Sequence, residues 1–370
     1  MNEIDKKKRD FFNLQKPLII AELGTSHNGD ICKAKELIAA AKQAGAECVK
    51  FQIVYSDEIL SPNTGIVPLP GGNISLYEKF KQLETPPEFY AEVKEYSESS
   101  GLLFLCTPFG MKSAAILKQL QPKMVKIASP ELNYTGLLEE TASWGLPILL
   151  STGVSKLADI EKALDICSLL PASQLCLLHC VTSYPAPETD YNLRVLPNLA
   201  NVFGVSVGVS DHSADPELVP ALSVSMGAVV IEKHFCLSKN DPGLDDPIAL
   251  PPEDFSKMIS AVSRALEDGA EKTIKRYKEE RGESLIEKIL GSGVKELAPS
   301  EKANYSRTNR SIHALRGIKA GEVITKKDYA VLRTEKILRP GLEPRFEKMI
   351  EGKIARNDIP AGEGIRFEDI

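Results

Sequence analysis

Little in this chain of 370 residues points to secretion, a cysteine-bound metal or nucleic acid. Its seven cysteines are odd in number, and Cys32, Cys48, Cys106, Cys167, Cys176, Cys180 and Cys236 show no metal-ligand spacing. Several fall inside apolar runs, where a free thiol packs as a small hydrophobe. A disulfide framework is therefore not expected, and a reducing cytoplasm is. No apolar run approaches the roughly 20 residues that cross a membrane. The N-terminus is polar through Lys16, and Pro17–Ala21 is too short for a secretion signal. A net charge of −6 lacks the basic excess of nucleic-acid binders. These features predict a cytoplasmic protein with neither a membrane nor a nucleic-acid partner.

What the chain does have is recurrence. Eight short apolar runs each end in a residue able to do chemistry: Leu18–Glu22, Cys48–Gln52, Leu103–Thr107, Met124–Ala128, Pro147–Ser151, Leu175–Val181, Gly204–Ser210 and Ala228–His234. Amphipathic segments such as Ala34–Ala44, Ala91–Ser99, Ile160–Leu169 and Glu217–Met226 lie between them. Alternating strand and helix signals imply parallel strands with right-handed crossovers. Eight such units predict a (β/α)8 TIM barrel, an α/β fold whose strand ends converge on one mouth.

The chain is longer than one barrel. We expect the barrel over residues 1–283, a linker over 284–306 and a small domain over 307–370. In that last part Ile318-Lys-Ala-Gly-Glu-Val-Ile-Thr recurs in outline as Ile359-Pro-Ala-Gly-Glu-Gly-Ile-Arg, which predicts two units of one design. About 60 residues make a marginal domain alone, so it should dock on something. One barrel connection, from Gln52 to Ala91, is unusually long and rich in proline and glycine. An insertion after a barrel strand lies at the mouth, as a substrate cover or as a tolerated surface loop.

The strand ends supply the candidate site. His212 and His234 end adjacent strands and are the best metal candidates among five histidines; the alternative is structural hydrogen bonding. His179, inside an apolar run, reads as a buried hydrogen-bonding residue. Lys50 and Lys126 interrupt apolar strands, where an unpaired ammonium is costly. They serve an anionic substrate, form a Schiff base, or pair with Glu22, Glu131 or Glu232. Hydroxyls at Thr107, Ser129, Ser151 and Ser210 favour a phosphate, with its several acceptor oxygens. Glu22 precedes the turn-rich Gly24-Thr-Ser-His-Asn-Gly-Asp and is placed to carry a proton or orient a carbonyl.

At these residues the chain resembles the sialic acid synthase family, metal-dependent enzymes that condense phosphoenolpyruvate with an N-acyl amino sugar. The resemblance rests on Ile19-Ile-Ala-Glu-Leu-Gly-Thr-Ser-His-Asn-Gly-Asp, Val49-Lys-Phe-Gln, Cys106-Thr-Pro-Phe, Lys126-Ile-Ala-Ser-Pro-Glu, Leu149-Leu-Ser-Thr-Gly, Gly208-Val-Ser-Asp-His and Ile231-Glu-Lys-His-Phe. The tail resembles the family's antifreeze-like (SAF) domain through Arg310-Ser-Ile and Asp358-Ile-Pro-Ala-Gly-Glu. The resemblance implies that Glu22 and Glu131 act at the reacting carbons. It assigns Lys50, Thr107, Lys126, Ser129, Ser151 and Ser210 to phosphoenolpyruvate. Gln52, Asn73, Tyr184, Asp245 and Arg310 would face the sugar, and His212 and His234 would hold Mn2+ or Mg2+. It further implies a domain-swapped homodimer in which Arg310 reaches the neighbouring subunit's mouth. Leu244 and Thr182 depart from the family pattern on the sugar side, which leaves the acceptor open. The rival readings are a 3-deoxy-sugar-acid phosphate synthase and a non-catalytic sugar-binding barrel.

Overall fold

The computed structural model describes Phe12 and residues 16–69, 72–335 and 337–370. Eight parallel strands form one sheet in the order β5-β2-β1-β10-β9-β8-β7-β6. They are β1 (Leu18–Gly24), β2 (Cys48–Ile53), β5 (Leu103–Pro108), β6 (Val125–Ile127), β7 (Ile148–Ser151), β8 (Leu175–Cys180), β9 (Ser206–Asp211) and β10 (Val230–His234). The ends of that order, β5 and β6, lie against each other and close the barrel. All eight predicted runs are strands.

Period-two alternation decides what the barrel encloses. Leu18, Ile20, Cys48, Leu105, Met124, Leu149, Cys176, Leu178 and Val230 form one buried cluster inside the barrel. The alternate residues, Ile19, Ala21, Leu23, Val49 and Phe51 among them, pack outward with the helices in a second cluster. Two residues beyond the inner cluster, toward the C-terminal end, the same inward face carries Glu22, Lys50, Thr107, Lys126, Ser151, Cys180, Ser210 and Glu232. The barrel floor is thus apolar and its upper layer ionic. Gly208 is required by close approach, since a Cβ there would sit 2.4 Å from the Val230 carbonyl oxygen.

The helices follow the predicted pattern. Ile31–Gln43 opens on Asp30, whose side chain accepts the Cys32 and Lys33 amides, as an N-cap should. The long connection after β2 contains the hairpin β3 (Ile66–Leu69) and β4 (Gly72–Ser75). Its tip, Pro70 and Gly71, lies outside the described residues. After the barrel, the helix Pro252–Arg281 breaks at Gly269 (φ 75°), and Glu283–Leu290 follows.

The tail builds its own core from Ile312, Ala314, Ile318, Ile324, Val331, Ile350, Ile359 and Ile365. Its antiparallel strands are β11 (Arg310–Ala314) and β12 (Tyr329–Arg333). The sequence repeat has a structural meaning: Ile318 and Ile359 exchange backbone hydrogen bonds at 2.9 and 2.8 Å, so the two copies pair with each other. His313 is fully buried in this domain. Its Nδ1 lies 2.8 Å from the Gly362 carbonyl and its Nε2 2.8 Å from the Ser311 hydroxyl.

Burial holds the His313 pKa down at about 4. Between pH 6.5 and 4 the unfolded chain therefore binds a proton that the folded chain refuses. Stability should fall as pH drops through that window, by up to about 3 kcal/mol from this one residue. Urea unfolding of His313→Gln should show a shallower acid limb than the wild type, and an identical pH slope would contradict the account.

Candidate active site

The ionic layer is a quartet of buried side chains. Lys50 Nζ lies 2.6 Å from Glu22 Oε2 and 3.7 Å from Glu232 Oε2, because β2 and β10 flank β1. Lys126 Nζ donates to Ser151 Oγ at 2.6 Å and to the Ile127 carbonyl at 3.2 Å. Its nearest carboxylate, Glu232, is 3.8 Å away. Lys50 is therefore a paired cation and Lys126 a loosely compensated one. Burial pushes the Glu22 carboxyl above its usual range, against the pull of Lys50. It also lowers the Lys126 ammonium. Gln52 donates to Glu22 Oε1 at 2.7 Å, and Ser210 donates to Glu232 at 2.8 Å. Thr107 Oγ1 is buried without a hydrogen-bond partner among the described residues, so a donor is available at the mouth. Ser129 Oγ accepts the Gly153 amide at 2.9 Å, and its hydroxyl bonds the Cys180 sulfur.

The two histidines lie beside this quartet, with ring centroids 5.4 Å apart. Burial, then the charge of His212, holds His234 well below the ordinary histidine range, so its ring offers a neutral lone pair. Burial also opposes charging His212, but Cys180 and the Val181 carbonyl outweigh it and bring that ring to about 9. An ion bound there must displace a proton. Among the described residues no cluster of three or more histidine, cysteine or acidic ligands is formed. The donor set fits a divalent ion as an open site, with two imidazoles and the remaining positions left to water and substrate. Tyr184 stacks on His212 at 4.3 Å between centroids, and Asp245 Oδ2 lies 3.9 Å from His234 Nδ1. Burial pushes Asp245 up to about 6.

The tail closes the mouth from the side of Glu131. Glu131 is fully buried, and its Oε1 accepts from Arg310 Nε at 2.9 Å and from Arg333 Nε and Nη2 at 3.1 and 2.8 Å. The remaining Arg310 donors go to the backbone carbonyls of Glu58, Phe109 and Val331. Asn133 bonds the Arg310 backbone on both sides, at 2.8 and 3.0 Å. Arg310 therefore has no fork left for a sugar. It bolts the tail to the barrel. The contacts expected between subunits are made here within one chain.

Glu22, Lys50, Gln52, Thr107, Lys126, Ser129, Ser151, Ser210, Tyr184, Asp245, His212 and His234 thus share one mouth, and Glu131 forms its tail side. Asn73 is exposed on β4 and makes no described contact with them. Sequence reasoning gave Glu232 no role beyond pairing, although its inward register between Val230 and His234 carried the signal. It missed Arg333, because an arginine at a strand end in a small domain has no local signature.

The comparisons agree with this geometry. The NeuB family model matches residues 37–273, and the SAF domain model matches residues 309–370. The chain belongs to the NeuB family, with a C-terminal SAF domain. An uncharacterised protein of Methanocaldococcus jannaschii is 36% identical over 352 residues, covering 95% of this chain and 94% of that one. The spore coat polysaccharide biosynthesis protein SpsE of Bacillus subtilis is 35% identical over 356 residues, 95% of this chain and 93% of its own. Its crystal structure superposes with a TM-score of 0.80 over 96% of this chain and 95% of that one. The N,N'-diacetyllegionaminic acid synthase of Legionella pneumophila is 33% identical over 362 residues, 95% of this chain and 94% of its own.

The two tail arginines should separate in their effects. Arg310→Met leaves a buried Glu131 with one partner fewer and strips three backbone carbonyls, so it should cost about 3 kcal/mol or more and expose the tail to limited proteolysis. Arg333→Met, at a side chain 11% exposed, should cost less stability. Equal or reversed stability losses in urea titrations would contradict these assignments.

Proposed function

We propose that this member of the NeuB family condenses phosphoenolpyruvate with an unphosphorylated N-acyl amino sugar, N-acetylmannosamine or a related 2,4-diacetamido hexose. The products are a nonulosonic acid and phosphate. The observation that carries the reading is the buried, loosely compensated Lys126 and the unpartnered Thr107 hydroxyl on one inward layer of the barrel, with two imidazoles at the same mouth. Lys50, Lys126 and the hydroxyls of Thr107, Ser129, Ser151 and Ser210 bind the phosphate and carboxylate of phosphoenolpyruvate. Ammonium groups and hydroxyl donors in a dry site suit such an anion. Gln52, Tyr184 and Asp245 orient the sugar, Arg333 takes the role expected of Arg310, and Asn73 stands exposed on the β3–β4 hairpin.

His212 and His234 would hold a divalent metal, Mn2+ or Mg2+, which would supply Lewis-acid polarisation of the sugar aldehyde. C3 of phosphoenolpyruvate forms the new bond to that aldehyde carbon, leaving an oxocarbenium-like centre at C2. Water adds at C2, and phosphate leaves with its bridging oxygen and the remaining hydroxyl proton as the C2 carbonyl forms. Glu22, whose carboxyl burial favours the protonated form, carries the proton between water and the new alkoxide. Glu131 keeps the tail arginines at the mouth and presents its other oxygen to the reacting carbons. Exchange of tails between two copies is part of the same proposal, because swapping reproduces the same contacts between chains.

The rival phosphate-sugar reading needs a second anion site on the acceptor side. There the two arginines already converge on Glu131, which disfavours it.

Phosphate release should require phosphoenolpyruvate and an unphosphorylated amino sugar together, stop with EDTA and return with Mn2+ or Mg2+. His212→Ala and His234→Ala should each reduce turnover at least about 100-fold with the fold intact, as loss of a ligand at an open metal site does. Release only with phosphorylated aldoses would favour the rival synthase. No release with any aldose would contradict the reading.

A further inference from the structure

The segment between the last barrel helix and the tail reads in the sequence as a passive linker, yet it carries a buried acid. Glu301 is 1% exposed. One oxygen, Oε2, accepts the backbone amides of Val154 at 3.0 Å and Thr182 at 2.9 Å. The other accepts the Ala298 amide at 3.2 Å, which closes the segment on itself. Val154 follows β7 and Thr182 follows β8, so a single carboxylate oxygen ties two barrel loops together.

Those loops are the ones that serve the mouth. The β7 loop begins at Ser151, which receives Lys126, and continues to Gly153, whose amide bonds Ser129. The β8 loop leads from Thr182 to Tyr184, which stacks on His212. The loops touch closely: a Cβ on Gly153 would lie 2.2 Å from Thr182 Oγ1. Val154 is held at φ 42°, a left-handed conformation that a β-branched residue adopts only under constraint. The constraint comes from both sides of the residue, from Glu301 of the linker at the Val154 amide and from Asn309 of the tail at its carbonyl (3.1 Å). Lys295 adds a third tie, donating to the Thr152 carbonyl at 3.0 Å.

We propose that Glu301 is a positioning residue for the mouth, acting on the phosphoenolpyruvate side through the β7 loop and on the sugar side through the β8 loop, and that the linker is a wall of the active site rather than a tether. It touches no reacting atom. It fixes where Ser151, Gly153 and Tyr184 stand by bridging the Val154 and Thr182 amides, with Lys295 and Asn309 as supports. The proposal rests on the reading that the mouth binds phosphoenolpyruvate.

The test compares Glu301→Ala, Glu301→Gln and Lys295→Met with the wild type by steady-state kinetics and by amide hydrogen exchange. Glu301→Ala should raise the KM for phosphoenolpyruvate about 10-fold or more, the scale of losing an outer support in a preorganised site. Exchange at Val154 and Thr182 should rise with it. Glu301→Gln keeps an oxygen able to bridge both amides and should return KM to within about threefold of wild type. Lys295→Met loosens the same loop from the other side and should raise KM severalfold, which keeps the proposal testable should Glu301→Ala fail to fold. Faster exchange with unchanged kinetics would overturn the proposal, since the tie would then be structural only. Unchanged exchange at both amides would overturn it as well. A wild type that releases no phosphate would overturn the functional reading, and this proposal with it; an active wild type with indifferent variants would overturn this proposal alone.

Discussion

The constraint on which the rest of this structure depends is electrostatic. Two lysines and two glutamates stand on the inward face of a barrel, where an ion without a partner would cost several kcal/mol. Strand order resolves part of that cost by placing β2 and β10 on either side of β1, so that Glu22 meets Lys50 at 2.6 Å. It leaves the other part open, because among the described residues the Lys126 ammonium finds only a hydroxyl and a carbonyl at hydrogen-bonding distance. A cation so placed, with hydroxyls around it, is what the proposed binding of an anion requires. The apolar layer beneath keeps it dry and therefore strong.

The same logic governs the tail. Glu131 is fully buried and could not stay there unpaired. Arg310 and Arg333 answer it, and in doing so fix a domain whose own core is small. The two arginines divide the work. Arg310 commits its donors to Glu131 and to backbone carbonyls, while Arg333 bonds Glu131 and stays partly exposed. Glu301 does for the barrel loops what Asn133 does for the first tail strand. In each case one polar side chain bonds backbone that would otherwise be buried and unsatisfied. The tail is joined to the barrel by polar ties at Glu131, Asn133 and Asn309, while the linker also packs Ile286, Ile289, Leu290 and Ala298 into the barrel's apolar core.

Much of this was legible in the sequence. The eight strands and the convergence of their ends follow from short apolar runs ending in Glu22, Lys50, Thr107, Lys126, Ser151, Ser210 and His234. Period-two alternation was enough to place those residues on one inward face. What stayed hidden were contacts between distant segments. Arg310 and Arg333 are both tail arginines at strand positions, and only the docked geometry shows which is saturated. Glu301 lies in a charge-rich stretch that reads as solvent-exposed, and its burial depends on amides left free by loops more than a hundred residues earlier. Asn73 illustrates the opposite case: a loop that resembles a sugar contact in sequence stands exposed on a hairpin in the fold. Side-chain chemistry was readable wherever periodicity aimed it, and unreadable wherever tertiary docking did.

The central claim is that Lys126 is the receptor cation for phosphoenolpyruvate. Calorimetric titration of phosphoenolpyruvate into the wild type and into Lys126→Met, both supplied with Mn2+, tests it most directly. Methionine fills a similar volume without charge, and no carboxylate closer than 3.8 Å loses a partner, so the fold should persist. The account predicts binding to the wild type and a loss of about 100-fold or more in the variant, the scale of one charge-assisted contact in a dry site. Wild-type affinity in a folded Lys126→Met protein would contradict it.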